Sequence, residues 1–210
     1  MRILYINPNS TAAMTDSMVA VAQSEIPGHE VLGWTNADGP PAIQGPEDGA
    51  VVVPQLLALL PAAAETGADA IVIGCFDDTG LDEMRAAAHC PVLGVGQAAY
   101  HMAALRAGRF AVVTTLAVSV PVIEGNIRDQ GFGAACLGVI ASGIPVLEVE
   151  DGSAEVLERL ADCARGAGAP AVVLGCAGMA QHKAALESLS GVPLVDGVAA
   201  SARLALALAG

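Results

Sequence analysis

Aromatic residues are scarce in this chain: three Phe, two Tyr and one Trp make up 3% of 210 residues. A flavin-stacking site or a base-stacking surface for nucleic acid has little to be built from. Basic residues are also few, 9 against 22 acidic, and the net charge of −13 has the wrong sign for a phosphate backbone, so no nucleic-acid partner is expected. The single lysine, Lys183, falls in a predicted helix beside Gln181 and His182, which reads as an exposed face and leaves a pyridoxal Schiff base without a suitable residue. The five cysteines, Cys75, Cys90, Cys136, Cys163 and Cys176, form no CxxC pair, and their odd count fits a reduced, cytoplasmic chain. No Cys/His pair has zinc-finger spacing, so no metal is expected. Long apolar runs are missing too. The opening MRILYINPNST has only four consecutive apolar positions before Asn7 and Pro8, too few for a signal-peptide core. The longest uncharged stretch, Gly131 to Leu147, is broken by four glycines and Pro145, and no membrane span is expected.

What is abundant is Ala, Val, Leu and Gly in a chain that is 54% hydrophobic, a composition suited to strands covered on both faces. The chain also repeats itself. GADAIVIGC at Gly67 to Cys75 is echoed by GAPAVVLGC at Gly168 to Cys176, identical at six of nine positions and offset by 101 residues. Downstream, CPVLGVG from Cys90 pairs with VPLVDG from Val192; upstream, RILYINPNST from Arg2 pairs with RFAVVTTLAV from Arg109. Periodicity predicts strands over 2–7, 30–34, 70–75 and 91–95, then over 109–114, 136–140, 170–175 and 192–196. Helices are predicted over 12–25, 48–65, 80–88, 97–107, 118–130, 152–166, 179–188 and 197–209. The alternation implies parallel sheets with right-handed crossovers. The expected fold is α/β with two pseudo-symmetric lobes, residues 1–97 with 197–210 forming one and residues 98–196 the other, and a cleft between them.

In open α/β sheets ligands bind beyond the carboxyl ends of the strands. Both repeated cysteines fall there, so Cys75 and Cys176 are expected to approach one cleft from opposite sides. A thiol has a reference pKa of about 8.5, lowered by backbone amides or a helix N-terminus, which suits proton transfer near neutral pH. Two such groups on opposite faces of a carbon acid remove a proton from one side and return one from the other, inverting the centre. The carbanion between the steps needs preorganised donors. Candidates are the amides at Phe76, Asp77, Ala177 and Gly178, with the polar strand ends Asn7 to Ser10 and Thr114 to Thr115. Gly74 and Gly178 would let backbone approach a ligand. GVGQAA at Gly94 to Ala99 matches the dinucleotide pattern G-x-G-x-x-A, but the next strand ends in Thr114 and Thr115 rather than an acid. No cofactor is expected.

The segments INPNST, GCFDDTGLDEMR, GVGQAAYHMA, VTTL, VLGCAGM and VPLVDGV together resemble the aspartate/glutamate/hydantoin racemase superfamily, and within it the hydantoin and allantoin racemases, over essentially the whole chain. The resemblance implies cofactor-independent two-base chemistry with Cys75 and Cys176 as acid and base. It assigns anion holding to the amides after each cysteine and to Asn9, Ser10, Thr114 and Thr115, and it implies a homo-oligomer acting on a small molecule. Amino-acid racemases of this superfamily typically carry Asn-Thr after the first cysteine and Thr-His after the second. Here Phe76-Asp77 and Ala177-Gly178 stand in those places, which favours a less charged ligand such as a 5-substituted hydantoin. Phe76 would wall the pocket and Asp77 or Asp78 would accept ring N–H bonds, although Asp78 with Thr79 and Asp82 also reads as a cap for the helix starting at Gly80. Three other readings stay open: an amino-acid racemase, a maleate isomerase-like enzyme with one covalent cysteine, and a two-lobed small-molecule binder whose cysteines are incidental.

Overall fold

The computed structural model describes all of residues 1–210. Its strands form two separate four-stranded sheets, each entirely parallel. The first contains β1 (Arg2–Asn7), β2 (Glu30–Thr35), β3 (Ala70–Ile73) and β4 (Val92–Gly94) in the order β2-β1-β3-β4. The second contains β5 (Phe110–Thr114), β6 (Cys136–Ala141), β7 (Val172–Gly175) and β8 (Leu194–Asp196) in the equivalent order β6-β5-β7-β8. The helices are α1 (Ala12–Glu25), α2 (Pro46–Glu65), α3 (Leu81–Ala87), α4 (Val95–Ala107), α5 (Val120–Asp129), α6 (Val146–Asp151), α7 (Ala154–Gly166), α8 (Lys183–Ser190) and α9 (Gly197–Ala209).

Two-residue alternation places the layers, because both faces of each sheet are buried. In β1, Ile3 and Tyr5 face inward to a core shared with Phe110, Val112 and Val173 of the second sheet, while Leu4 and Ile6 face outward onto α2 and α3. The outer face of the second sheet, Val113, Val172 and Leu174, is covered by Val149 of α6, Leu160 of α7 and Leu186 of α8. Filling the space between the sheets are α1, α4 and α9. The last two exchange sides. Helix α4 leaves the first sheet and packs on β5, β7 and β8, whereas α9 leaves the second and packs on α1 and β3. Tyr5 anchors α9 to β1, its hydroxyl donating to the Val198 carbonyl at 3.1 Å and lying 2.8 Å from Ser201 Oγ.

Helix α2 is the one helix long and apolar enough to cross a membrane, by length and composition. Here its Val52, Leu56, Leu60 and Ala63 are buried in the outer core of the first sheet. Several predicted boundaries shift. Strand β3 ends at Ile73 and not at Cys75, because Gly74 donates the last ladder bond, to Ile6 O, and the chain then turns away. Helix α6 lies where only a connection was expected, and the helix predicted over 179–188 opens instead as a 3-10 turn, Ala177–His182, before α8.

Candidate active site

The carboxyl ends of β1 and β3 meet those of β5 and β7 at a small cavity of about 30 Å³. Cys75 and Cys176 both line it, each just beyond its strand. A backbone bond from the third residue on closes a turn after each cysteine: Asp78 N donates to Cys75 O at 3.0 Å, and Met179 N to Cys176 O at 3.1 Å. This turn aims backbone amides at the sulfurs, that of Asp77 at Cys75 and those of Gly178 and Met179 at Cys176, each favouring the thiolate. Thr79 Oγ1 adds a donor to Cys75 Sγ at 3.5 Å. Burial opposes them and dominates. Burial, then the charge of Asp77, pushes the Cys75 thiol far up, while burial, then the charges of Glu150 and Asp77, pushes Cys176 up to about 12. Burial thus favours the thiol over the thiolate at both positions.

Of the other expected residues, Asn9, Phe76, Asp77, Thr114, Thr115 and Ala177 line the cavity. Asn7 and Ser10 do not. Asn7 is fully buried and spends its amide on Asn9 Oδ1, Thr11 O and Thr15 Oγ1, so it braces the Asn9 loop. Ser10 is turned toward the β2–α2 connection, its amide donating to Pro40 O. Gly178 also stays off the wall: its amide serves the Cys176 sulfur, and the place a side chain would take is filled by Glu150 Oε2, 2.7 Å from an added Cβ. Gly74 does line the cavity, and its missing side chain makes room for Met18, whose Sδ would lie 2.8 Å from an added Cβ. Hydrogen-bond accounting separates the donors still free. Thr114 Oγ1 is committed to Gly175 O at 2.9 Å. Asn9 Oδ1 accepts from Asn7 and Thr11, whereas its Nδ2 meets only Met14 Sδ, at 3.6 Å.

The two aspartates divide. Asp77 faces the cavity, with Ser119 Oγ donating to Oδ2 at 3.4 Å and Asn126 Nδ2 to its carbonyl at 2.8 Å; burial pushes its carboxyl up to about 6. Asp78 does not cap α3, whose N-cap Gly80 receives no side-chain bond. It turns instead to α4, accepting from Gly96 N at 2.9 Å through Oδ1 and from Gln130 Nε2 at 3.3 Å through Oδ2. This disposes of the glycine-rich match: an added Cβ at Gly94 would lie 1.9 Å from Asp78 Oδ1, and one at Gly96 2.3 Å from Phe76 O. A protein carboxylate occupies the helix N-terminus where a phosphate would sit.

Residues the sequence reading missed include Met14, Ile43, Ser119 and Val146 on the wall, and Glu150 behind Cys176. Glu150 Oε1 accepts from Ser17 at 2.9 Å and Gln181 at 2.8 Å, while its buried Oε2 has no partner. Thr79, expected only as part of a helix cap, is a further missed residue, and its place four residues beyond Cys75 is the signal that could have found it. No group of three His, Cys, Asp or Glu side chains is placed to hold a metal ion.

Known proteins share this fold. The profile described as Asp/Glu/Hydantoin racemase matches residues 3–205. A hydantoin racemase from Rhizobium meliloti is 40% identical over 215 aligned residues, covering 100% of this chain and 89% of the relative. The solved allantoin racemase from Klebsiella pneumoniae superposes with a TM-score of 0.93 at 37% identity, covering 99% of this chain and 87% of that one. A glutamate racemase from Campylobacter jejuni subsp. jejuni, at 17% identity and a TM-score of 0.69 over 97% and 84% of the two chains, shares the fold. The chain belongs to the Asp/Glu/hydantoin racemase family and is an isomerase of the racemase type.

Proposed function

We propose that this racemase inverts the C5 centre of a 5-substituted hydantoin, the allantoin ring included, by proton transfer between Cys75 and Cys176 without a cofactor. The observation that carries the reading is that both thiols, each followed by a turn closed on its own carbonyl, line one cavity from opposite sheets. One sulfur, as thiolate, takes the C5 proton; the C5–H electron pair moves into the ring as an enolate; the other thiol then delivers its proton to the opposite face. The pair ends with thiol and thiolate exchanged, and the reverse reaction uses the same two groups. Enolate charge collects on the C4 oxygen, where preorganised donors lower the barrier. Free Asn9 Nδ2 and the Thr115 hydroxyl supply them from the cavity wall.

No Lys, Arg or His lines the cavity, which favours a neutral ring over free aspartate or glutamate. The relatives named hydantoin racemase and allantoin racemase support the same substrate class. Each of Cys75→Ser and Cys176→Ser is expected to abolish racemisation, followed as loss of optical rotation with hydantoins, allantoin, aspartate and glutamate as substrates. Solvent-deuterium exchange at C5 persists from the face that keeps its thiol. Full activity in both variants would overturn the two-thiol mechanism, and a mass-trapped substrate adduct on one cysteine would replace it with covalent chemistry.

A further inference from the structure

We propose, building on that reading, that Asp77 selects the substrate: its carboxylate accepts the N–H bonded to the reacting carbon and excludes ligands of net negative charge. The placement comes first. Asp77 reaches the cavity from the loop just behind Cys75, and its charge bears on both Cys75 and Cys176. Lining the same cavity as both sulfurs, it borders the space in which the reacting carbon must lie. The nitrogen attached to that carbon is therefore the ring donor within its reach.

The carboxylate is held but underused. Ser119 and Asn126, both from the other lobe, fix Oδ2 and the main-chain carbonyl. A carboxylate accepts about four hydrogen bonds, yet Oδ1 receives none from the protein. With no cation on the wall, an anionic ligand meets this charge uncompensated, whereas an N–H supplies the missing donor.

Selection is thereby coupled to activation. While Oδ1 of Asp77 has no donor, the carboxylate charge disfavours the thiolate at both cysteines. An N–H seated on Oδ1 draws that charge into a hydrogen bond, so thiolate formation becomes easier once substrate is in place.

The test uses a 5-alkyl hydantoin, its N1-methyl analogue and an alkylmalonate, read by protection of Cys75 and Cys176 from iodoacetamide and, separately, by racemisation. In the wild type, half-protection by the N1-methyl ring is expected to need about tenfold more ligand than by the parent, or worse. Asp77→Leu, which has no acceptor, should shrink that gap to within about threefold. Asp77→Asn, which keeps an acceptor without the charge, should retain part of the gap while admitting the alkylmalonate and speeding alkylation of both thiols. Ser119→Ala, which leaves the carboxylate in place, should preserve the gap. Equal protection of the wild type by the two rings overturns the assignment even where a variant does not accumulate, and so does a tenfold gap surviving in Asp77→Leu. Selective protection by a ring that is never racemised would remove the hydantoin racemase reading and leave the Asp77 assignment standing.

Discussion

Replacing Asp78 by asparagine sets two electrostatic effects against each other. The carboxyl is buried, which disfavours its charge, yet it sits on the N-terminus of α4 and accepts an N–H from Gly96, which favours it. Burial wins: the group is pushed up to about 7 from an ordinary 3.8. Each unit is worth about 1.4 kcal/mol, so ionisation costs the fold at most about 4 kcal/mol, and about 2 kcal/mol once relaxation and water entry soften the site. The folded-state value is raised, so the folded protein holds this proton more tightly than the unfolded chain does. Stability from this group is highest below about pH 4, falls as the pH rises toward about 7, and is level above it. Asparagine keeps an oxygen for Gly96 and brings an amide to Gln130, whose buried Oε1 is without a partner. It also tolerates the positive φ of 50° at this position. In urea unfolding, Asp78→Asn should match the wild type within about 1 kcal/mol at pH 4.5 and exceed it by about 2 kcal/mol at pH 8. A variant less stable than the wild type at pH 8 would refute this reasoning, because the helix terminus would then outweigh desolvation. Asp77, pushed up to about 6 by burial, gives the wild type a second loss in the same direction, which this variant leaves in place.

Two glycines should respond oppositely to alanine. At Gly94 the new Cβ would lie 1.9 Å from Asp78 Oδ1, and denaturant unfolding should show a loss of about 2 to 4 kcal/mol; at Gly166, in α7, nothing lies within 4 Å and a gain of about 0.5 to 1 kcal/mol is expected. Glu150→Gln should move the pH profile of Cys176 alkylation to lower pH, since the Glu150 charge is among the causes holding that thiol up, and the profile of Cys90 should not move. Tyr5→Phe should cost about 1 kcal/mol in the same unfolding assay by removing the hydroxyl that ties β1 to α9.

The doubled segments ending in Cys75 and Cys176 made both sheets legible, because apolar runs with glycine at their ends define strands and the repeat fixes their equivalence. Helix α6 escaped because its six residues lie between Gly143 and Gly152 and are too few to show a period. The Asp78 cap escaped for another reason: capping patterns are read three or four residues apart, and its partner Gly96 is eighteen away. Asn9, Thr114 and Thr115 on the cavity wall stood out as polar groups at strand ends. Ile43, Val146 and Ser119 did not, since they reach the site only through packing of connections across the cleft. Asn7 shows the converse error. A polar residue at a strand end was expected to meet a ligand, whereas its amide braces the loop of the cavity-lining Asn9.

The exchange of α4 and α9 has the form of a domain-swapped dimer drawn into one chain. Each half of the sequence ends on a helix whose seat is on the other half's sheet. A fragment stopping after α4 would carry Val95, Ala99, Tyr100 and Ala103 with no partner surface, and its own first sheet would lack the cover that Val198, Ala202 and Ala205 provide. The halves are thus repeats in sequence without being independent in folding, and the two thiols keep their relative placement because neither half of the sequence closes its core without the other's last helix.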